Sequence, residues 1–435
     1  MKKSKRGKKL RLLVIASIIV IVVSVSLGLR NVKTSGEEIS EPEEISLNLL
    51  ISNELSNLEE TKKLDSQIER FMKEWQIKGA SLAVMKDEKL IYSKGYGWAN
   101  EEAGVRMEPS NILRIASLSK LITATGVMKL IEDSLLTLQS RVFGEGGILP
   151  FPADNEISDP RVKKITIEHL LRHQGGFTLR AGDPMFSTTL MSRRLKLDTV
   201  PDNDQIIRYC ASGRLGFEPG KGTRYSNLGY VILSRVIEEV TGDSYENYIK
   251  EAVLKPAGIT DMHLANNFYE ERYNNESKYY EPSNEPLVEA YDGSGRMVQR
   301  CYGGNNIKDL QGAGAWVASP SELLLFVASI DGKDGIPDIL SKRSITTMTT
   351  STPQKLPIGW ARVNSSGEWS RTGTLSGSSA LLKCQKNGIT WVLITNTSSW
   401  KGARFPRQID NLLKNGLTKI KEWPERNLFE LKILP

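Results

Sequence analysis

The chain has 435 residues, 39% hydrophobic and 25% charged, which at about 150 residues per domain means two or three units, or one large domain with appendages. Its formal charge of +7 is confined to residues 1–11, where Lys2, Lys3, Lys5, Arg6, Lys8, Lys9 and Arg11 stand without an acid; the other 424 residues balance to zero, so the body has no electrostatic case for binding nucleic acid. Three widely separated cysteines, Cys210, Cys301 and Cys384, exclude a disulfide-dense scaffold and a CxxC site, leaving room for one pair at most.

Residues 1–11 form a basic tail, expected to be cytoplasmic. Leu12–Leu29 follow as 18 consecutive uncharged residues, mostly Leu, Ile and Val, which as a helix span roughly 27 Å, close to the hydrocarbon thickness of a bilayer. The run exceeds an ordinary signal-peptide core, so a retained single-pass anchor is expected, although the small residues Ser24 and Ser26 also fit a cleaved signal. Positive charge before the span and acids after it orient the body outside the cell membrane, or secrete it if the segment is cleaved. Residues 30–61, with Glu37, Glu38, Glu41, Glu43 and Glu44 around Pro42, read as an acidic, solvated linker with some helical character near 49–58. The folded domain is expected at 62–420, followed by a tail at 421–435.

Ile68, Phe71, Met72 and Trp75 recur at helical spacing and predict an amphipathic helix. Two β-like runs, 80–85 and 89–92, flank a turn. The middle is helix-rich, at about 118–132, 166–173, 205–211 and 228–240. Strand character returns at 379–383 and 389–395, and a last helix is predicted near 404–419. Terminal segments sharing one sheet around a helical middle give an α/β body in two parts.

Chemistry concentrates in three places. In Ser117-Leu-Ser119-Lys120, at a predicted helix start, Ser117 and Lys120 lie about one turn apart on a shared face. An amine there can take the hydroxyl proton that otherwise keeps serine a poor nucleophile. Ser119 points away, so Ser117 is the sensible nucleophile. In Tyr225-Ser226-Asn227, a phenol and a side-chain amide precede an apolar helix, a pattern that also reads as a turn with Asn227 as N-cap. In Arg371-Thr372-Gly373-Thr374, small residues on a strand let a substrate approach backbone amides, and Arg371 can hold an anion. His169 and His173 have the spacing of a helical zinc pair, but Leu170 stands where HExxH has Glu, and no metal site is expected. His173 reads as a structural turn residue, and Trp316, Trp360 and Trp369 as core.

Taken in order, SxxK, YxN and RTG resemble the serine β-lactamase and penicillin-binding-protein superfamily, in its class C-type branch of esterases, D-amino-acid peptidases and D-alanyl-D-alanine carboxypeptidases. Flanking matches include Gly95-Tyr-Gly-Trp-Ala-Asn100, Glu218-Pro-Gly220, Gly312-Ala-Gly314 and Pro357-Ile-Gly-Trp360, so the resemblance spans residues 64–420. It implies a β-lactamase/transpeptidase-like fold, an antiparallel sheet flanked by helices plus a mostly helical lobe, and a cofactor-free, metal-free serine hydrolase. Carried over, Ser117 is the acylated nucleophile, Lys120 its base and Tyr225 the proton relay. Asn227 orients Lys120 and substrate; Arg371, Thr372, Gly373 and Thr374 bind substrate, with the amides of Ser117 and Thr374 as the oxyanion hole. Arg371 departs from the usual Lys or His, which keeps the cation but removes a proton shuttle.

The leading expectation is a membrane-tethered, extracytoplasmic serine hydrolase that acts through an acyl-enzyme on a cell-wall peptide, a D-amino-acid peptide or a small ester. The alternative is a catalytically impaired penicillin-recognising or envelope-binding protein of the same fold. True β-lactamase activity is not favoured. A Ser-His-Asp hydrolase is weaker still, because the chain has no GxSxG elbow.

Overall fold

A computed structural model describes residues 46–178 and 182–431. The amphipathic helix forms as α1, Lys62–Trp75, burying Leu64, Ile68, Phe71 and Met72 along one stripe. Gln76 ends it in a left-handed conformation (φ 54°), its amide donating back to the carbonyls of Met72 and Lys73.

The sheet is built from both ends of the domain. Its strands are β1 Gly79–Lys86, β2 Lys89–Asn100, β3 Val105–Arg106, β4 Arg362–Val363, β5 Trp369–Leu375, β6 Ser378–Cys384 and β7 Ile389–Thr395. Their order is β3-β2-β1-β7-β6-β5-β4, and all neighbours run antiparallel. The central strands are apolar on both sides, as strands covered twice must be. Leu82, Val84, Trp391 and Leu393 belong to a core shared with α1 and the last helix, Pro406–Leu417. The alternate residues Ala83, Met85, Val392 and Ile394 belong to the larger core on the other face. That side carries the helical part, including α2 Ser119–Glu132 and α3 Asn227–Thr241. Eleven residues of α2 are buried, so it is the axis of the body rather than a surface helix.

The structure moves the edges of the domain outward. Residues 46–61, read as part of a solvated linker, lie on the body: Leu47 and Ile51 are in the main core. Ser56 Oγ accepts the amide of Ser93 (3.1 Å) and Asn53 Oδ1 that of Gly95 (2.7 Å), so these side chains cover the part of β2 that β3 leaves unpaired. The tail from 421 also folds back. Leu428 is buried, and Arg426 Nε donates to the carbonyl of Ile91 at 2.9 Å. The helical character expected near 49–58 appears as a short 3-10 helix, Asn53–Ser56, but nothing in the local pattern pointed to either contact. The basic tail, the 12–29 span and the acidic stretch to residue 45 lie outside the described residues. Among the described residues no helix is long and apolar enough to cross a membrane, and all three cysteines are free thiols.

If residues 46–61 are part of the folding unit, Ile51→Ala in the full chain should cost about 2–4 kcal/mol, read as a lower urea midpoint with an unchanged slope.

Candidate active site

Ser117 sits in a single 3-10 turn, Ala116–Leu118, that leads into α2. Ala116, the residue before it, has φ 51°, a left-handed conformation uncommon for a residue with a side chain. The turn is pressed against β5. A Cβ placed on Gly373 would fall 2.3 Å from the carbonyl oxygen of Ile115, so the strand reaches the turn only because residue 373 lacks one. Ser119 is occupied elsewhere: its Oγ donates to Ala116 O (2.7 Å) and accepts from Trp316 N (3.2 Å). It serves the fold, as its direction on the helix predicts.

Ser117 Oγ lies 2.6 Å from the hydroxyl of Tyr225 and 3.4 Å from Lys120 Nζ. Lys120 is fully buried, and its Nζ donates to Asn227 Oδ1 (2.7 Å) and to Ala313 O (2.5 Å). Two of its valences are therefore held by oxygens, and the third faces Ser117: a proton when the group is charged, a lone pair when it is neutral. Burial pushes the Lys120 amine down to about 8, Arg371 adds to the effect, and Tyr225 and Asp183 oppose it. At Tyr225 burial works the other way, yet Lys120 and Arg371 outweigh it and leave the phenol below its ordinary value. Tyr225 is 41% exposed as a residue, with Lys120 Nζ 4.8 Å and the Arg371 guanidinium 5.9 Å from its ring centroid. Lys120 and Tyr225 titrate as a pair.

Each partner arrives from a different part of the chain. Asn227 opens α3, and Ser226 Oγ caps that helix by accepting from Gly229 N (3.0 Å); the N-cap is thus Ser226, which frees Asn227 for Lys120. Asn227 Nδ2 donates to Asp183 Oδ2 (2.7 Å), which fixes the amide so that its oxygen faces the lysine. Ala313 is delivered by a turn in which Gln311 has φ 37° and Gly312 passes so close to α2 that a Cβ would meet Thr123 Oγ1 at 2.3 Å.

His173 is the turn residue expected, with more to do than close a helix. It has φ 59°, its carbonyl accepts from Arg224 N (2.9 Å) and its Nδ1 accepts from Ser226 N (3.3 Å). Its ring lies 4.6 Å from that of Tyr225. Burial, with Arg371 and Lys120 nearby, holds it well below the usual imidazole range, as an acceptor nitrogen requires. His169 is structural too, its Nδ1 accepting from Thr166 N in a capping box.

Arg371 is buried, and its Nε donates to Ser117 O at 2.9 Å; Nη2 has no hydrogen-bond partner among the described residues. A cavity of about 310 Å³ opens over these groups, lined by Ser117, Tyr225, Asn227, Arg371, Thr372 and Thr374 together with His173 and Trp360. Gly373 is not in its wall; its contribution is the approach of β5 to the turn. Trp360 and Trp316 are both buried in the main core, as read, and Trp360 also lines the cavity, with Trp369 packed on it at 5.3 Å. Asp183, the carbonyl of Ala313 and the acceptor nitrogen of His173 had no sequence signal of their own. Among the described residues no cluster of three or more His, Cys, Asp or Glu is placed to hold a metal ion.

Because the atom facing Gly373 is backbone and cannot swing aside, Gly373→Ala should lower stability by about 1–3 kcal/mol, measured by urea unfolding, and should displace Ser117 relative to β5.

Sequence comparison aligns the chain with "Penicillin-binding protein 4*" of Bacillus subtilis (strain 168), 30% identical over 207 residues, covering 47% of this chain and 42% of the relative. "Esterase EstB" of Burkholderia gladioli is 29% identical over 202 residues, covering 46% of this chain and 50% of the relative. The chain therefore spans half or less of these curated relatives. Among solved structures, a D-amino acid amidase from Ochrobactrum anthropi SV3 superposes with a TM-score of 0.64 at 20% identity, covering 84% of this chain and all (100%) of that one, which speaks to the fold alone. The family model described as Beta-lactamase matches residues 64–413, and with the sheet, the helical part and the order of the three motifs in agreement, the chain belongs to that family.

Proposed function

We propose that this protein is a serine hydrolase that cleaves an amide or ester through an acyl-enzyme on Ser117. One observation carries the reading: Ser117 Oγ stands within 2.6 Å of a phenol and 3.4 Å of an amine whose other valences are tied down. In the first step the proton of Ser117 passes to the Lys120–Tyr225 pair as Oγ bonds the substrate carbonyl carbon. The pair then returns that proton to the leaving nitrogen or oxygen as its bond to carbon breaks. Water repeats the cycle and frees the acid. The amides of Ser117 and Thr374 are assigned to the developing oxyanion, where one such donor is worth about 3–4 kcal/mol. Arg371 in the cavity wall supports an anionic group on the substrate, for which a guanidinium is well shaped.

The names of the relatives, an esterase, a D-amino acid amidase and a penicillin-binding protein, support a substrate among small esters, D-amino-acid peptides and cell-wall peptides. The uncharged run at 12–29, with its basic flank, supports a tether that holds the body outside the cytoplasm, with residues 30–45 as spacer.

Treating the full chain with a fluorophosphonate or a labelled penicillin, followed by intact-mass analysis and peptide mapping, should give one adduct, on Ser117. Lys120→Ala should abolish it. An adduct on another serine, or none with either probe, would replace the enzyme with the catalytically impaired penicillin-recognising or envelope-binding protein of the same fold.

The pH profile supplies a separate check. The amine accepts a proton only when neutral, so acylation should rise with pH through about 8, the value to which burial brings Lys120. Asp183 holds that value up and Arg371 holds it down. The rising limb of the pH–rate curve should therefore move to lower pH in Asp183→Asn and to higher pH in Arg371→Gln.

A further inference from the structure

The reaction cavity has a neighbour at Thr372. Three of its residues, Ala361, Thr372 and Ala403, also line a groove of about 1270 Å³ that runs over the sheet edge toward the start of the last helix. Five cations line this groove, Arg362, Lys383, Lys401, Arg404 and Arg407, against two carboxylates, Glu368 and Asp410. Asp410 is already held by Lys383 at 2.8 Å, and Glu368 accepts from Asn364 at 3.0 Å. Lys401 lies over the rings of Trp75 and Trp400. The guanidiniums of Arg362, Arg404 and Arg407 have no hydrogen bond or ion pair among the described residues. The body as a whole is close to neutral, so this is a local concentration of unspent positive charge beside the cavity of Ser117.

The sheet edge beside it is open as well. β4 pairs with β5 only at Trp369 and Ser370. From Arg371 to Leu375 the outer side of β5 has no strand partner among the described residues, and this is the stretch that runs past Ser117. An unpaired strand edge offers backbone donors and acceptors to an extended chain, which favours a peptide over other polyanions. Arginine binds carboxylates through paired N–H groups in a fixed plane.

We propose that the groove binds an acidic, extended stretch of a peptide substrate, with Arg404 and Arg407 engaging its carboxylates. This rests on the hydrolase reading and narrows its substrate class: the scissile bond lies over Ser117 and the acidic residues lie beyond Thr372.

The test separates binding from turnover by using the full-length Ser117→Ala chain. Fluorescence anisotropy is measured with a labelled peptide carrying three glutamates and with its glutamine twin. The glutamate peptide should bind about tenfold more tightly, and about 0.5 M salt should erase most of the difference. Arg404→Gln combined with Arg407→Gln should remove the preference while leaving the fluorophosphonate adduct on Ser117 intact in the otherwise unaltered chain. Equal binding of the twins, or a preference that survives the double substitution, overturns the proposal. Displacement of the peptide by short-chain polyphosphate more readily than by unlabelled triglutamate also overturns it, and assigns the groove to phosphate polymers. Failure of the hydrolase reading shows elsewhere, as a missing adduct on Ser117.

Discussion

A charged amine in water is comfortable; one sealed beneath the Ser117 hydroxyl is not. Lys120 loses its hydration to burial and recovers part of the loss from two oxygens, Asn227 Oδ1 and Ala313 O. The balance leaves the amine near 8, where it exchanges a proton over the physiological range. Much of the neighbouring structure keeps that balance in place. Asp183 orients the amide of Asn227, Gly312 brings the carbonyl of Ala313 against α2, and Ser226 takes over the capping of α3. His173 holds the chain on which Tyr225 is mounted. An isolated lysine on an exposed helix would titrate near its ordinary value and would hold its proton throughout.

The same cations act on Tyr225. Phenols seldom share protons near neutrality, and burial alone would make this one a weaker acid. Lys120 and Arg371 reverse the sign. Arg371 therefore has two effects of one origin: it lowers the proton affinity of both partners, and it adds a cation to the cavity wall. With arginine at this position the proposed reaction has only Lys120 and Tyr225 to carry the proton, since a guanidinium does not give up its own.

Geometry at this site depends on absent atoms as much as on present ones. Gly373 brings β5 to within reach of the Ser117 turn, and Gly312 does the same for the turn that reaches Lys120. Neither glycine has a positive φ, so what each supplies is room rather than backbone freedom. Strain is carried instead by Ala116, His173 and Gln311, all with positive φ and a side chain; His173 lines the cavity, and the other two lie in the turns that carry Ser117 and Ala313.

Local pattern settled a good deal. Period and apolarity located α1, α2 and α3 and the central strands, because a buried stripe or a doubly covered strand leaves its mark in every turn or pair of residues. Spacing singled out Ser117 over Ser119, because two side chains three apart on a helix share a face. The order of the three motifs pointed to the family. What spacing could not convey were contacts between distant segments: Asp183 on Asn227, the carbonyl of Ala313 on Lys120, His173 beneath Tyr225, and the 46–61 segment along β2. A backbone carbonyl is the same in every residue, and a carboxylate says nothing about a partner 44 positions on. Only the folded chain decided those pairings, and with them the pKa values on which the chemistry turns, because desolvation and charge proximity are properties of a packed volume and not of a sequence interval.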